Sequence, residues 1–143
     1  MKKSIHYLLM ADHLLFQKEI FSMLKDTGLT YGQPKILDYL LYHNGALQKD
    51  IAKACHIEPA TLTSLLTGME NHQLIERKRL NGNRRNIYVY LSNKGETLAK
   101  QIAVNFKKIE RQALADFSEA EENTLIELLS KLNEGAKKRG TEE

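Results

Sequence analysis

Between Gln48 and Leu91 the chain changes pattern three times, and few folds accept that order of patterns. Gln48 to Cys55 reads as a short helix, with Ile51 and Ala52 as its apolar positions. Glu58-Pro59-Ala60-Thr61 then opens a second helical run that ends at Asn71. Pro59 fits the first helical position, where its fixed φ helps and its missing N–H has no partner to lose. Leu74–Leu80 and Ile87–Leu91 follow as two strands around an Asn81-Gly82 turn. In Ile87-Tyr88-Val89-Tyr90-Leu91 apolar residues alternate with tyrosines, the period of a strand with one buried face. A short helix, a tight link and a second helix make a helix-turn-helix, and a hairpin beside it makes a wing.

Charge follows the same segment. The formal net charge is only +3, which by itself points to no partner. From Leu74 to Lys94, however, Arg77, Lys78, Arg79, Arg84, Arg85 and Lys94 stand against Glu76 alone, a local +5. The rest of the chain is therefore slightly acidic, and the positive potential sits on one hairpin. The second helix of such a pair is shaped to enter a DNA major groove. Its first turns carry Pro59, Ala60, Thr61, Thr63 and Ser64, small enough for backbone and hydroxyls to approach base edges. A wing arginine, Arg84 or Arg85, would meet the enhanced negative potential of a narrow A·T minor groove. Arg77, Lys78, Arg79 and Lys94 are expected to touch phosphate or water. Alternation puts Arg77 and Arg79 on one strand face and Lys78 on the other, so the three cannot share one role.

The remaining sequence is helical. Residues 3–25 carry two apolar stripes, one of Ile5, Leu8, Leu9, Phe16, Ile20 and Met23, the other of Tyr7, Met10, Leu14, Phe21 and Leu24. Two stripes predict burial on two sides. Gly28 is expected to end this helix, and Thr30-Tyr31-Gly32-Gln33 reads as a capping box for the next one, which turns Ile36, Leu37, Leu40 and Leu41 inward. From Ser92 a long helix carries Leu98, Ile102, Phe106, Ile109, Ala113 and Phe117 at steps of three or four. Ser118-Glu119-Ala120-Glu121 caps a last helix whose inward face is Leu125, Leu128, Leu129, Leu132 and Ala136, with a charged tail from Lys137 that should fray. The expected fold is mainly α with a small β-hairpin wing, a single domain over 1–143. Within it a winged helix-turn-helix lobe at 30–91 sits between dimerisation helices at 3–28 and 92–139. The apolar surface of these outer helices exceeds what so small a lobe can cover, which predicts a homodimer. A two-fold would set two recognition helices one DNA turn apart, ~34–36 Å.

Other classes lack support. Cys55 is the only cysteine, so no intramolecular disulfide forms and a reducing cytoplasm fits. No run reaches the ~18 apolar residues of a membrane span. His6, His13, His43, His56 and His72 have no pair at metal-ligand spacing, so no metal site is expected. No nucleophile–base pattern or phosphate loop appears, so no enzyme and no cofactor are expected. The alternatives to a DNA-binding regulator are a winged helix used for protein or RNA contacts, and a sequence-indifferent architectural DNA binder.

Residues in this order and spacing resemble the MarR (multiple-antibiotic-resistance regulator) family across nearly the whole chain. They are Leu29-Thr30 and Gln33 before Ile36-Leu37, then Gln48-Lys49-Asp50-Ile51-Ala52, then Ile57 with Pro59-Ala60-Thr61-Leu62-Thr63. Leu74-Ile75 with Arg77, Arg84-Arg85, and Leu91-Ser92 with Gly95 complete the series. The resemblance implies a repressor of a palindromic operator on double-stranded DNA. It also implies a small aromatic or phenolic effector between the dimer helices and the DNA-binding lobe, where Tyr7, Met10, His13, Tyr39, Tyr42 and His43 would line the pocket. Departures from the family's pattern are Asn83 for an acidic wing brace, Leu47 and Glu58 for better helix caps, Ser64 and Gly68 for frequent arginines, and Gln73 for a glycine. They shift the expected weight of DNA binding toward the wing. Cys55 falls on a core-leucine position, and the first helix lacks the cysteine of the family's peroxide-sensing branch, so Cys55 is expected to be buried and inert.

Overall fold

A computed structural model describes residues 3–80 and 85–140. In chain order the elements are α1 (Ile5–Met23), α2 (Gln33–Tyr42), β1 (Ala46–Leu47), α3 (Gln48–Ala54), α4 (Pro59–Asn71), β2 (Ile75–Arg79), β3 (Ile87–Leu91), α5 (Asn93–Ala113) and α6 (Glu119–Gly140). They form two compact units, Met1–Lys107 and Lys108–Glu143. The class is the expected one, mainly helical with a small antiparallel sheet. The Asn81-Gly82 turn, Asn83 and Arg84 lie outside the described residues.

The first unit is built on α2, α3 and α4 with the sheet closing one side. Ile36, Leu37 and Leu40 of α2 meet Ile51 of α3 and Leu62, Leu66 and Met69 of α4, all fully buried. Burial of each such side chain contributes about 1.5–3 kcal/mol. Ile75 and Val89 bring the inner sheet face to the same core, joined by Ala99 and Ile102 of α5. The strands order β1-β3-β2, and β2 pairs antiparallel with β3 from Ile75↔Leu91 to Arg79↔Ile87. β1 was not expected. Its two residues pair with β3 at Ala46↔Val89 and Leu47↔Tyr88, which ties the entry to α3 onto the wing. Two residues carry too little periodicity to signal a strand. Cys55 is buried in this core, and that burial pushes its thiol pKa up.

Several boundaries differ from expectation for local reasons. Met23, not Gly28, ends α1; the chain then makes a hydrogen-bonded turn from Leu24 to Thr27 before Gly28 takes a positive φ. The capping box before α2 is half formed. Gln33 Oε1 accepts the Thr30 N–H at 2.9 Å, but Gly32 occupies the cap position, with φ +93°. Gln33 itself is buried, and its Nε2 donates to the Leu65 carbonyl at 3.3 Å, so this residue links α2 to α4. The box at Ser118 is complete: Glu121 N–H to Ser118 Oγ is 3.1 Å and Ser118 N–H to Glu121 Oε1 is 3.0 Å. Phe117 falls in the turn before α6 rather than on the stripe of α5. The tail does not fray from Lys137, because α6 continues to Gly140.

The outer helices are largely uncovered. α1 has no buried residue, and Leu14 is 58% exposed. The α6 face expected to point inward is open in the single chain, with Leu128 57% exposed and Leu129 and Leu132 also exposed.

Candidate nucleic-acid interface

α4 shows two polar edges with opposite properties. Thr63, Thr67 and Glu70 recur at helical spacing on one edge, and all are tied down. Thr63 Oγ1 donates to the Pro59 carbonyl at 3.0 Å and accepts from Gln48 Nε2 of α3 at 2.8 Å. Thr67 Oγ1 donates to the Thr63 carbonyl at 2.9 Å. Ala60, Thr61 and Ser64 form the other edge. All three are exposed, and the hydroxyls of Thr61 and Ser64 make no hydrogen bond among the described residues. Of the residues expected to face a groove, Thr61 and Ser64 are therefore available as donors and acceptors, whereas the hydroxyl of Thr63 already has a partner on each side.

Glu58 stands at the cap of α4 and makes no side-chain cap bond. Glu58 lines a shallow depression together with Lys49, Lys53, His56 and Pro59. Lys49 and Lys53 are exposed and add positive charge at the N-terminus of α4. Sequence reading passed them over, although their i, i+4 spacing on the polar side of α3 was a usable signal. On the other side Arg85 lines a cleft with Gln48, Lys49 and Pro59, so the wing's approach to β3 sits against the start of both helices. Arg85 is exposed. Gly68, where an arginine is frequent in the resembling family, does not face outward: a Cβ there would lie 3.3 Å from Gln33 Nε2.

The remaining hairpin cations separate by strand face, as alternation requires. Lys78 is 3.7 Å from Glu76 and lies over the Tyr90 ring, 5.1 Å from its centroid. Arg79 is exposed at the end of β2. Arg77 turns the other way and forks onto Glu70 of α4, with Nε–Oε2 3.1 Å. The Arg77 hydrogen bond holds the Glu70 carboxyl below its ordinary pKa. Lys94 Nζ donates to the His72 carbonyl at 3.0 Å, where a cation suits the C-terminal end of α4. Gln73, at the position of the family's glycine, has φ +60°, the conformation that favours a glycine.

The six residues named for an effector pocket do not converge. Tyr39 and His43 stack on each other with ring centroids 4.3 Å apart, and Tyr42 and Met10 are exposed. Of the six, only His13 lines the apolar cleft of about 130 Å³ beside α1, together with Gln17, Phe21, Tyr31, Lys35 and Phe106 among others. His13 and Gln17 are 2.8 Å apart, Gln17 also donates to the Tyr31 hydroxyl, and Phe21 stacks on the Tyr31 ring. His13 is named from the family resemblance, and the Tyr31 loop carries no periodicity that points to Tyr31.

Among curated proteins, the chain is 29% identical to the uncharacterized HTH-type transcriptional regulator YwhA of Bacillus subtilis, over 68% of this chain and 70% of that protein. It is 27% identical to the HTH-type transcriptional regulator MgrA of Staphylococcus aureus, over 76% of this chain and 72% of that protein. Among solved structures, Staphylococcus aureus MepR in its complex with DNA superposes with a TM-score of 0.83 at 27% identity, covering 94% of this chain and 99% of that one. The sequence model of the MarR family matches residues 29–87, the stretch from the approach to α2 to the first residue of β3. Residues 29–87 thus carry a MarR-family domain, and over most of its length the chain is similar to HTH-type transcriptional regulators.

Proposed function

We propose that this protein is a cytoplasmic, homodimeric repressor that binds a palindromic DNA operator and has no catalytic activity. The observation that carries the reading is the open edge of α4. Ala60, Thr61 and Ser64 are exposed there, next to Pro59, which shares one cleft with Lys49 and Arg85 and another with Lys49 and Lys53. That is a small-residue reading surface inside a cationic frame, the form a major-groove helix takes. The DNA complex of MepR, which has the same fold, supports it. Thr61 and Ser64 read base edges or thymine methyls, Lys49 and Lys53 hold phosphate, and Arg85, with Arg84 from outside the described residues, serves the wing. A ligand would relieve repression from the cleft at His13, Gln17 and Tyr31, which is sized for a single aromatic ring. To do so it must favour the conformation that binds DNA less well.

Selection of bound duplexes from a random pool near physiological salt tests the reading. Enrichment of one palindrome with half-sites about one turn apart is expected. Retention of unrelated duplex with equal affinity would replace the regulator with an architectural binder.

A further inference from the structure

Arg77 carries one of the six positive charges around the hairpin, yet its position fits a different task from holding phosphate. In β2 it pairs with Val89, which is fully buried, so its side chain leaves the sheet on the face turned to α4. The Arg77 side chain is about one-fifth exposed. Nε donates to Glu70 Oε2 at 3.1 Å, Nη2 to Glu70 Oε1 at 3.4 Å, and Nη2 also to Thr67 Oγ1 at 3.2 Å. A planar fork meeting a carboxylate this way fixes orientation as well as distance. Thr67 is bonded to the Thr63 carbonyl, and Thr63 is held by Gln48 of α3. The tied edge of α4 thus runs unbroken from the wing strand to the first helix of the pair.

We propose that Arg77, Glu70 and Thr67 form a positioning strut that fixes the wing's orientation against the recognition helix. The operator is then read by two elements held in register. The inference rests on the DNA-binding reading above. It also explains why an acidic residue sits on the polar side of this helix: Glu70 is the anchor of the strut, and the pair contributes no net charge to phosphate binding.

Two variants separate a strut from a phosphate contact because the two roles give opposite outcomes. Glu70→Ala removes a negative charge from the DNA side, so a phosphate-holding Arg77 would be freed and affinity would rise. The strut instead predicts about tenfold weaker binding to the selected operator, within the range for coupled neighbours. Arg77→Lys keeps the charge but loses the fork. A phosphate contact would largely survive it, whereas the strut predicts the same loss as Arg77→Ala, with the slope of log affinity against log salt unchanged instead of falling by about 0.9. The charge-swapped double variant, Glu70→Arg with Arg77→Glu, should recover part of the lost affinity. Amide exchange of β2 and β3 in the free protein supplies an arm that needs no DNA. Glu70→Ala and Arg77→Lys should each speed it, and together no more than either alone. Tighter operator binding by Glu70→Ala, or unchanged exchange in both variants, would overturn the strut. If the wild-type protein selects no duplex, the proposed function falls, and the exchange result still decides whether the strut exists.

Discussion

Two backbone positions on either side of the wing set opposite constraints on the side chain they carry. Gln73 holds φ +60° between α4 and β2, with its N–H on the Glu70 carbonyl at 3.0 Å and its own carbonyl accepting from Ser92 Oγ at 2.6 Å. A non-glycine residue pays ~1–2 kcal/mol for that conformation. A glycine would avoid most of it and lose roughly 0.5–1 kcal/mol to the extra freedom of the unfolded chain. Gln73→Gly is therefore expected to raise the unfolding free energy in urea by about 0.5 kcal/mol, the net of those opposing contributions; a decrease would show that the glutamine side chain makes a compensating contact. Gly95 is the converse case. A Cβ there would stand 1.9 Å from the Leu74 carbonyl oxygen, where α5 crosses the α4–β2 turn. Backbone cannot yield as a flexible side chain does, so Gly95→Ala should cost about 3 kcal/mol or more in the same measurement. The family's pattern marked both positions in the sequence. Only the structure gave the reasons: one needs a left-handed φ and the other a close approach of two backbone segments.

At the level of elements, what was legible depended on whether the signal was local. Pro59–Asn71 begins and ends where the pattern of Pro59 and the apolar spacing put it, because a cap and a 3.6-residue period act over a few residues. The box at Ser118 forms for the same reason. The box at Thr30 closes only on the Gln33 side, because the Gln33 N–H goes to the Thr30 carbonyl at 3.2 Å and not to its hydroxyl; Gln33 Nε2 meanwhile reaches a carbonyl on α4, a partner 32 residues away that no local pattern reports. β1 is likewise defined by its partner strand. The Ser118 box allows a direct check. Ser118→Ala should cost about 1 kcal/mol and shorten α6 from its first turn. The box also gives a pH dependence, because the Ser118 N–H and hydroxyl hold Glu121 below its ordinary carboxyl pKa of 4.5. A depressed folded pKa means that the carboxylate's contribution is complete above 4.5 and is lost as pH falls through the lowered value. Thermal melts of Glu121→Gln should accordingly lie below wild type near neutral pH and converge with it in acid. A gap that persisted into acid would assign the effect to lost geometry, not to charge.

For the whole molecule, the distribution of apolar surface makes the last argument. The core of the first unit closes around α2, α3, α4 and the sheet; Leu24 and Ile20 reach it from the end of α1, while Ile5, Leu8, Leu9, Met10 and Leu14 stay exposed. The α6 leucines are open as well. Burying such surface contributes ~25 cal/mol per Å², so a chain that leaves two helices of leucine exposed gains by covering them with a second copy. The two stripes of α1 were readable as excess apolar surface, but their partner was not, because periodicity says that a face is buried and never by which chain. Leu14→Glu and Leu128→Glu place a charge on each helix at residues outside the core, so helix content by circular dichroism should not change. Sedimentation is expected to give a dimer for the wild type and a monomer for the double variant. Linking two half-site readers raises apparent affinity by ~10²–10⁴ through effective concentration alone, so the monomer should lose that factor on the palindrome while a single half-site binds it as before. A double variant that still sedimented as a dimer would move the interface off these helices. A monomer with undiminished affinity for the palindrome would show that the operator is read by one chain, and the two-fold geometry inferred for the recognition helices would have no part in binding.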